Sequence, residues 1–360
     1  ERDLTHTTIL IPEDTDLAPL ELEFIESIAE TALHVLPVDQ PARTSAEIGQ
    51  DETDAGLLRW VLAPTEAPEP RHDGTATVFH ANGEISEVRE ALRRCMAAGY
   101  KLDQIEFLHT DKQSYVPLLF ETFCLMNPGK HEAGAEMPVT FAEGIPAMYA
   151  KPARALAAWI QWIGDDYSQT ALTRLIEDGL LRIPVRGESG LSRYRLAAIL
   201  KEVPIGWGRD RYLSQIDDRL ESLRQRGPRE PKPAPLAEND DPLHTSVHHV
   251  SNRDRIAGLS AIREVVEHVF EITPADPSGP VHVLQAAKAF ITSCVRADGE
   301  MDNYATRALL DHIEDMSRWL ADLDGPTSLN VWEWLGALPS SVWIMGSGAR
   351  PGRLHVAGIS

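Results

Sequence analysis

The chain changes its hydrophobic pattern near residue 165, and this change constrains the fold more than any other feature of the sequence. Before that point, short apolar strand patterns alternate with amphipathic helix patterns. Strands that alternate with helices predict a parallel sheet with helices packed on its faces. After residue 165 the apolar residues recur with a helical period, until an alternating segment follows at residues 353–360. The sequence therefore predicts an α/β fold that carries a large all-helical region.

The predicted elements follow this division. Strands are expected at residues 7–11, 33–38, 76–81, 104–110 and 138–141, and helices at 19–33, 86–98, 114–125 and 152–163. The first two strands and the helix between them predict a β-α-β unit. Seven further helices are expected at residues 168–178, 193–203, 209–224, 254–271, 281–297, 303–323 and 328–338. A proline-rich loop near residues 226–243 interrupts them, because proline lacks the N–H that a helix needs.

Charge is distributed unevenly along the chain. The formal net charge is −21, which at first argues against a polyanionic partner. Residues 1–70 hold three arginines against sixteen acidic residues, whereas residues 182–232 hold twelve Lys and Arg against seven acidic residues. Aromatic rings on which a base could stack lie among these cations. The DNA-binding candidates are Arg193, Tyr194, Arg195, Trp207, Arg209 and Arg211.

A second interpretation of the same stretch is equally open at this stage. The aromatic residues could anchor a helical core, while the arginines pair with carboxylates elsewhere in an acidic protein. The alternative function is a protein-interaction scaffold without DNA binding, in which the helical region docks a partner subunit and the basic clusters form salt bridges to that partner or to residues 1–70. Sequence alone does not choose between the two hypotheses.

Motifs for catalysis and cofactor binding are missing. A phosphate-binding loop needs an upstream glycine that Gly129-Lys130 lacks, and Ile205-Gly-Trp-Gly208 lies between helices rather than after a strand. His244, His248 and His249 have the spacing of metal ligands, but a solvated loop is the favoured interpretation. Glu13 and Asp14 are candidates by position only. We therefore predict no catalytic residue, metal site or cofactor in this chain.

Cysteine usage and hydropathy bear on the compartment. Cys95, Cys124 and Cys294 are widely spaced and odd in number, which does not fit a disulfide framework. No apolar stretch approaches the roughly 20 residues that span a bilayer. Both observations predict a cytoplasmic protein.

Several segments resemble a known family. Pro138-Val-Thr-Phe-Ala-Glu-Gly-Ile-Pro-Ala and Lys151-Pro-Ala-Arg-Ala-Leu-Ala-Ala-Trp-Ile are similar to the second RecA-like domain of UvrD/RecB-type DNA helicases. The preceding strand and helix patterns from Ala76 fit the same domain, and Pro351-Gly-Arg-Leu-His-Val-Ala-Gly-Ile-Ser360 resembles the start of its motif V. The sequences of these segments are most similar to AddB-type subunits of helicase–nuclease complexes and to related chains with a PD-(D/E)XK nuclease domain.

The resemblance implies a domain plan. Residues 1–70 would be the degenerate end of one RecA-like domain, and residues 71–165 part of a second. Residues 166–345 would be its helical insertion, and residues 346–360 a strand that returns to the sheet. His355 and Gly358 would occupy motif V positions. The chain would be an internal fragment of its parent.

The resemblance also implies a function. The Walker lysine, the acidic metal-binding motif and the phosphate-contacting arginine of the family have no counterpart in this sequence. The expected role is therefore a non-catalytic part of an enzyme of DNA double-strand break repair and recombination. Its expected partners are DNA and either a helicase–nuclease subunit or the remaining domains of the parent chain.

Overall fold

The chain divides into two compact units, Glu1–His80 and Ala81–Ser360. The computed structural model describes residues 9–12, 33–36, 53–60, 63, 65, 67–126, 137–184, 191–225, 251–274, 279–321 and 330–359. In the first unit, β1 (Ile9–Pro12) and β2 (Leu33–Leu36) pair in parallel. These strands overlap the first two expected strands, whereas the helix expected at residues 19–33 lies outside the described residues.

The second unit contains a three-stranded parallel sheet. Its strands are β3 (Glu106–His109), β4 (Val139–Phe141) and β7 (Leu354–Gly358), and β7 lies between the other two. The alternating segment near the end of the sequence therefore forms the central strand. The helices α1 (Glu84–Ala97) and α2 (Lys112–Met126) pack against each other, and α2 also contacts β4.

A short antiparallel pair follows the sheet. Strand β5 (Ile145–Pro146) pairs with β6 (Trp343–Ile344), and the long helical region lies between them in sequence. The approach is close at Gly144, where an added Cβ would overlap the Ile344 carbonyl and where φ is +80°. Only glycine accommodates both the positive φ and the contact. Residues 145 and 344 thus mark where the chain leaves the sheet region and returns to it.

The helical region contains eight of the ten α-helices found in the described residues. They are α3 (Lys151–Gly164), α4 (Gln169–Glu177), α5 (Arg193–Lys201), α6 (Arg211–Gln225), α7 (Asn252–Ile272), α8 (Pro280–Ala289), α9 (Glu300–Ala321) and α10 (Val331–Ser341). A π-helical turn, Phe290–Cys294, continues α8. All seven helices expected after residue 165 are confirmed. The proline-rich loop near residues 226–243 lies outside the described residues.

Helix α3 is the centre of the helical core. Its apolar residues Leu156, Trp159 and Trp162 recur every three positions and are almost completely buried. It packs against α4, α9 and α10. The Trp159 ring stacks on Phe290, with 4.8 Å between ring centroids, and its indole N–H donates to Thr273. Because these three large side chains all face the core, their spacing follows the period of the helix.

The expected fold class is compatible with the structure at a coarse level. The chain is mostly helical and carries a small three-stranded parallel sheet. The strand expected at residues 76–81 is wrong, because this stretch is irregular and Val78 is fully exposed. The backbone groups of a strand need a neighbouring strand as their hydrogen-bond partner. Strand β3 has β7 as this partner, whereas residues 76–81 are paired with no described strand. None of the described helices has both the length and the apolar content needed to cross a membrane.

Candidate nucleic-acid interface

An exposed tryptophan, Trp207, lies in the turn between α5 and α6. Gly206 and Gly208 have φ of +75° and +90°, so the backbone can reverse on both sides of Trp207. The Gly206 N–H donates to the Gln169 side chain at 3.0 Å, and the Gly208 N–H donates to the Asp166 carbonyl at 2.8 Å. The Trp207 side chain is 63% exposed. The turn therefore holds a large aromatic ring in solvent with little backbone freedom.

Two guanidinium groups lie over exposed aromatic rings. Arg211, the first residue of α6, has its guanidinium carbon 5.9 Å from the centroid of the Trp207 ring. Arg193, the first residue of α5, lies 4.9 Å from the centroid of Tyr194, whose side chain is 61% exposed. The Arg193 guanidinium also donates to the Asp178 carbonyl at 3.2 Å. Both pairs have cation–π geometry on the outside of the protein.

Three acidic residues of this region have cationic partners. Glu177 pairs with Lys201 at 2.6 Å, and Asp178 pairs with Arg154 at 2.9 Å. Glu202 pairs with Arg219 at 2.8 Å.

Four arginines of the same region differ from these. Within the part of the chain that the structure describes, no carboxylate pairs with Arg174, Arg193, Arg195 or Arg211. We call these four arginines, together with Tyr194 and Trp207, the basic–aromatic surface. No described carboxylate lies within ion-pair distance of these four guanidinium groups, which favours an anionic partner.

A shallow polar groove lies along α4 beside the Trp207 turn. Its volume is about 330 Å³. Polar and charged side chains of α4, the end of α5 and the backbone of the turn line it: Gln169, Thr170, Arg174, Glu177, Lys201 and Gly206. Lys201 and Glu177 neutralise each other, so Arg174 supplies the uncompensated charge of the groove.

Arg209 differs from the other candidates because it faces the core. Its guanidinium donates to the Phe270 carbonyl in the last turn of α7, where carbonyls lack a donor within the helix. It also lies 5.1 Å from the centroid of the Phe270 ring. The same cluster contains Tyr212, which is fully buried, and this burial raises the pKa of its phenol. We therefore assign Arg209 a structural role as a cap of α7.

The two motif V-like candidates lie in β7, away from the helical region in sequence. The His355 ring is hydrogen-bonded through Nδ1 to Thr140 Oγ1 at 3.0 Å. The Gly358 N–H donates to Glu143 at 2.8 Å, and a Cβ at this position would lie 2.5 Å from the same carboxylate oxygen. His355 thus ties β7 to β4, and Gly358 accommodates the Glu143 side chain.

Sequence reasoning missed the residues that surround Gly358. The His109 side chain is 2% exposed, and its Nε2 lies 3.8 Å from the unbonded oxygen of Glu143, which is too long for a hydrogen bond. Both ring nitrogens and this oxygen are buried without a partner among the described residues. His109 ends β3 and Glu143 follows β4, and the carboxyl ends of parallel strands meet at one edge, but the strand order that brings the two residues together is not visible in either segment.

Other candidates bring no further site. His244, His248, His249, Glu13 and Asp14 lie outside the described residues. Among the residues with described positions, no group of three or more His, Cys, Asp or Glu side chains could hold a metal ion. Cys95, Cys124 and Cys294 form no disulfide.

Comparisons with known proteins add no further constraint. A scan against protein-family models finds no match for the chain, and a search of curated proteins finds none.

Proposed function

We propose that this chain is a non-catalytic, DNA-contacting part of an AddB-like helicase–nuclease that acts in DNA double-strand break repair and recombination. The order of elements supports the proposal. Eight α-helices of the described residues lie between strands β4 and β7 of the parallel sheet in sequence, which is compatible with a RecA-like domain that carries a helical insertion. The resemblance of the segments around β4, α3 and β7 to that family supports it as well.

One observation gives the main support for the proposed DNA contact. Among the described residues, four guanidinium groups have no carboxylate partner, and they lie in a region with two exposed aromatic rings, in a chain whose net charge is −21. Surfaces that bind single-stranded nucleic acid combine cations for the phosphates with aromatic side chains for the bases. Because most of the chain is acidic, we expect DNA to contact this surface and not the protein at large.

A fluorescence anisotropy titration tests the proposal. A labelled DNA oligonucleotide is titrated at low salt with the full chain and with a triple variant, Arg193→Ala, Arg195→Ala and Arg211→Ala. We expect the triple variant to bind at least tenfold more weakly, because three phosphate contacts are lost. A matched triple variant of exposed arginines elsewhere, Arg93→Ala, Arg307→Ala and Arg318→Ala, has the same change in net charge and should retain binding.

Two outcomes would contradict the DNA contact. One is that the unmodified chain binds no oligonucleotide at low salt. The other is that both triple variants weaken binding equally, because the effect would then reflect net charge alone. If the chain binds no DNA but co-purifies with a helicase subunit through the basic–aromatic surface, the scaffold hypothesis replaces the proposal.

A further inference from the structure

We infer that Ser293 is a nucleophile that accepts an acyl group from an activated ester, with His268 as its base and Glu271 as the residue that orients the base. This inference goes beyond the proposed function, because these residues lie on α7 and on the π-helical turn, outside the basic–aromatic surface. It concerns one covalent transfer to each chain and no turnover.

The π-helical turn after α8 presents Ser293 to solvent. Phe290 and Cys294 of this turn are buried, and the Phe290 ring stacks on Trp159. Ser293 itself is exposed. A π-helical turn widens a helix locally by one residue, and such turns occur frequently at functional sites. The buried residues of the turn thus fix the backbone that carries an exposed hydroxyl group.

His268 lies at hydrogen-bond distance from this hydroxyl. Its Nε2 is 2.9 Å from Ser293 Oγ, which is within the range expected between a nucleophile and its base. The His268 side chain is 45% exposed, so the imidazole can also exchange its proton with water or with a leaving group. The pair therefore has the contact that a proton transfer from the serine requires.

Glu271 determines which imidazole nitrogen accepts the proton. It follows His268 by three residues in α7, so both side chains lie on one face of the helix. Its carboxylate is 3.6 Å from His268 Nδ1, and hydrogen bonds between catalytic groups are often long before a substrate binds. A carboxylate beside Nδ1 favours the tautomer that carries the proton on that nitrogen. The lone pair of Nε2 is then directed toward Ser293.

The Ser293 hydroxyl has a second acceptor. Its Oγ lies 2.7 Å from the Ala289 carbonyl, a bond that serine commonly makes within a helix. The hydroxyl has one proton, so it donates to Ala289 or to His268 at any moment. The reactive form is the one that donates to His268, and Glu271 favours this form by fixing the tautomer.

The transfer is balanced in atoms and electrons. Ser293 Oγ forms a bond to the acyl carbon while its proton moves to His268 Nε2. The bond between the acyl carbon and the leaving oxygen then breaks, and the leaving group takes the electron pair and the proton from the imidazolium. The negative charge of Glu271 stabilises this imidazolium. Because all three side chains are open to solvent, we expect small acyl donors with a good leaving group to react.

The test uses p-nitrophenyl acetate as the acyl donor and the full chain, with peptide mass spectrometry to measure the acetylation rate at each serine. Ser340 is the matched control, because it is an exposed helical serine that donates to the Ala337 carbonyl at 3.0 Å, and no histidine is among its described hydrogen-bond partners. We expect Ser293 to react about 100-fold faster than Ser340, because a positioned base accelerates proton transfer. His268→Gln should abolish this difference.

The role of Glu271 is tested separately. Its side chain is 69% exposed and water screens its charge, so we expect Glu271→Gln to slow acetylation of Ser293 by less than about tenfold. Heteronuclear NMR of the His268 ring nitrogens should show a larger share of the tautomer with its proton on Nε2 in this variant. A side chain with only a packing role would not change the tautomer.

The outcomes are independent of DNA binding. The inference is wrong if Ser293 and Ser340 react at the same rate, or if His268→Gln leaves the rate at Ser293 unchanged. An unchanged tautomer in Glu271→Gln would remove Glu271 from the site. Failure of the proposed DNA contact would leave the reaction at Ser293 in place. Thermal unfolding of the variants checks that they remain folded.

Discussion

The helical region uses the same residue types in two ways, on its inside and on its outside. Inside, Trp162, Tyr212 and Phe270 pack together, and the Arg209 guanidinium lies against Phe270. Outside, Trp207 and Tyr194 are exposed beneath the guanidinium groups of the basic–aromatic surface. The inner cluster stabilises the fold, whereas the outer rings are free to meet a partner. Arginine and aromatic content alone therefore does not distinguish a core from a binding surface.

Arg209 and Arg211 show how local geometry decides between the two uses. The residues are two positions apart and both were candidates for DNA contact. Arg209 precedes α6 and reaches the end of α7, whereas Arg211 begins α6 and lies beside the Trp207 ring. Gly206 and Gly208, both with positive φ, lie in the turn that precedes the two arginines.

The largest expected difference between the inner aromatic cluster and the exposed rings is in the free energy of unfolding. Trp162→Ala removes a completely buried ring that stacks on Phe270 and donates to the Tyr212 hydroxyl at 3.2 Å. We expect it to lower the free energy of unfolding by about 3–5 kcal/mol, measured by urea denaturation. Trp207→Ala should change it by less than about 0.5 kcal/mol. Similar losses for both variants would show that Trp207 is part of the core.

A smaller effect should separate the two arginines. Arg209→Ala leaves the Phe270 carbonyl without its donor, and we expect the free energy of unfolding to fall by about 1–3 kcal/mol. Arg211→Ala should leave stability nearly unchanged and weaken DNA binding instead. Chemical denaturation and anisotropy on the same two variants measure both effects. The distinction fails if Arg209→Ala weakens DNA binding without loss of stability.

Gln169→Ala should lower stability less than Trp162→Ala or Arg209→Ala, and it should affect both stability and DNA binding. The side chain connects α4 to the end of α5 and to the Gly206 N–H. We expect about 1 kcal/mol of stability to be lost, because each of these bonds is partly exposed. Affinity for single-stranded DNA should fall as well, since Trp207 would no longer be held by a fixed turn. Unchanged affinity would mean that the rigidity of the turn does not contribute to binding.

The sequence predicted the elements whose signals are local. The helix pattern at residues 152–163 predicted α3, and the alternating segment at residues 353–360 predicted β7. Helix boundaries agreed closely where a capping residue was present, as at Ser168 and Ser192. Periodicity and capping are short-range properties, and one sequence reveals them.

What the sequence did not predict depends on contacts between distant residues. The stretch at 76–81 has a strand pattern but no strand, whereas the two-residue strand β6 is too short to produce a pattern. The inward direction of Arg209 depends on Phe270, which is far away in sequence. His109 and Glu143 meet because β7 lies between β3 and β4, and that strand order is not visible in any one segment.

The salt dependence of DNA binding tests the central claim most directly. The dissociation constant for single-stranded DNA is measured over a range of salt concentrations for the full chain and for the Arg193→Ala, Arg195→Ala, Arg211→Ala variant. If these three arginines each contact a phosphate, the slope of log Kd against log salt should decrease by about 2 in the variant. An identical slope for both proteins would contradict the claim that the basic–aromatic surface binds DNA.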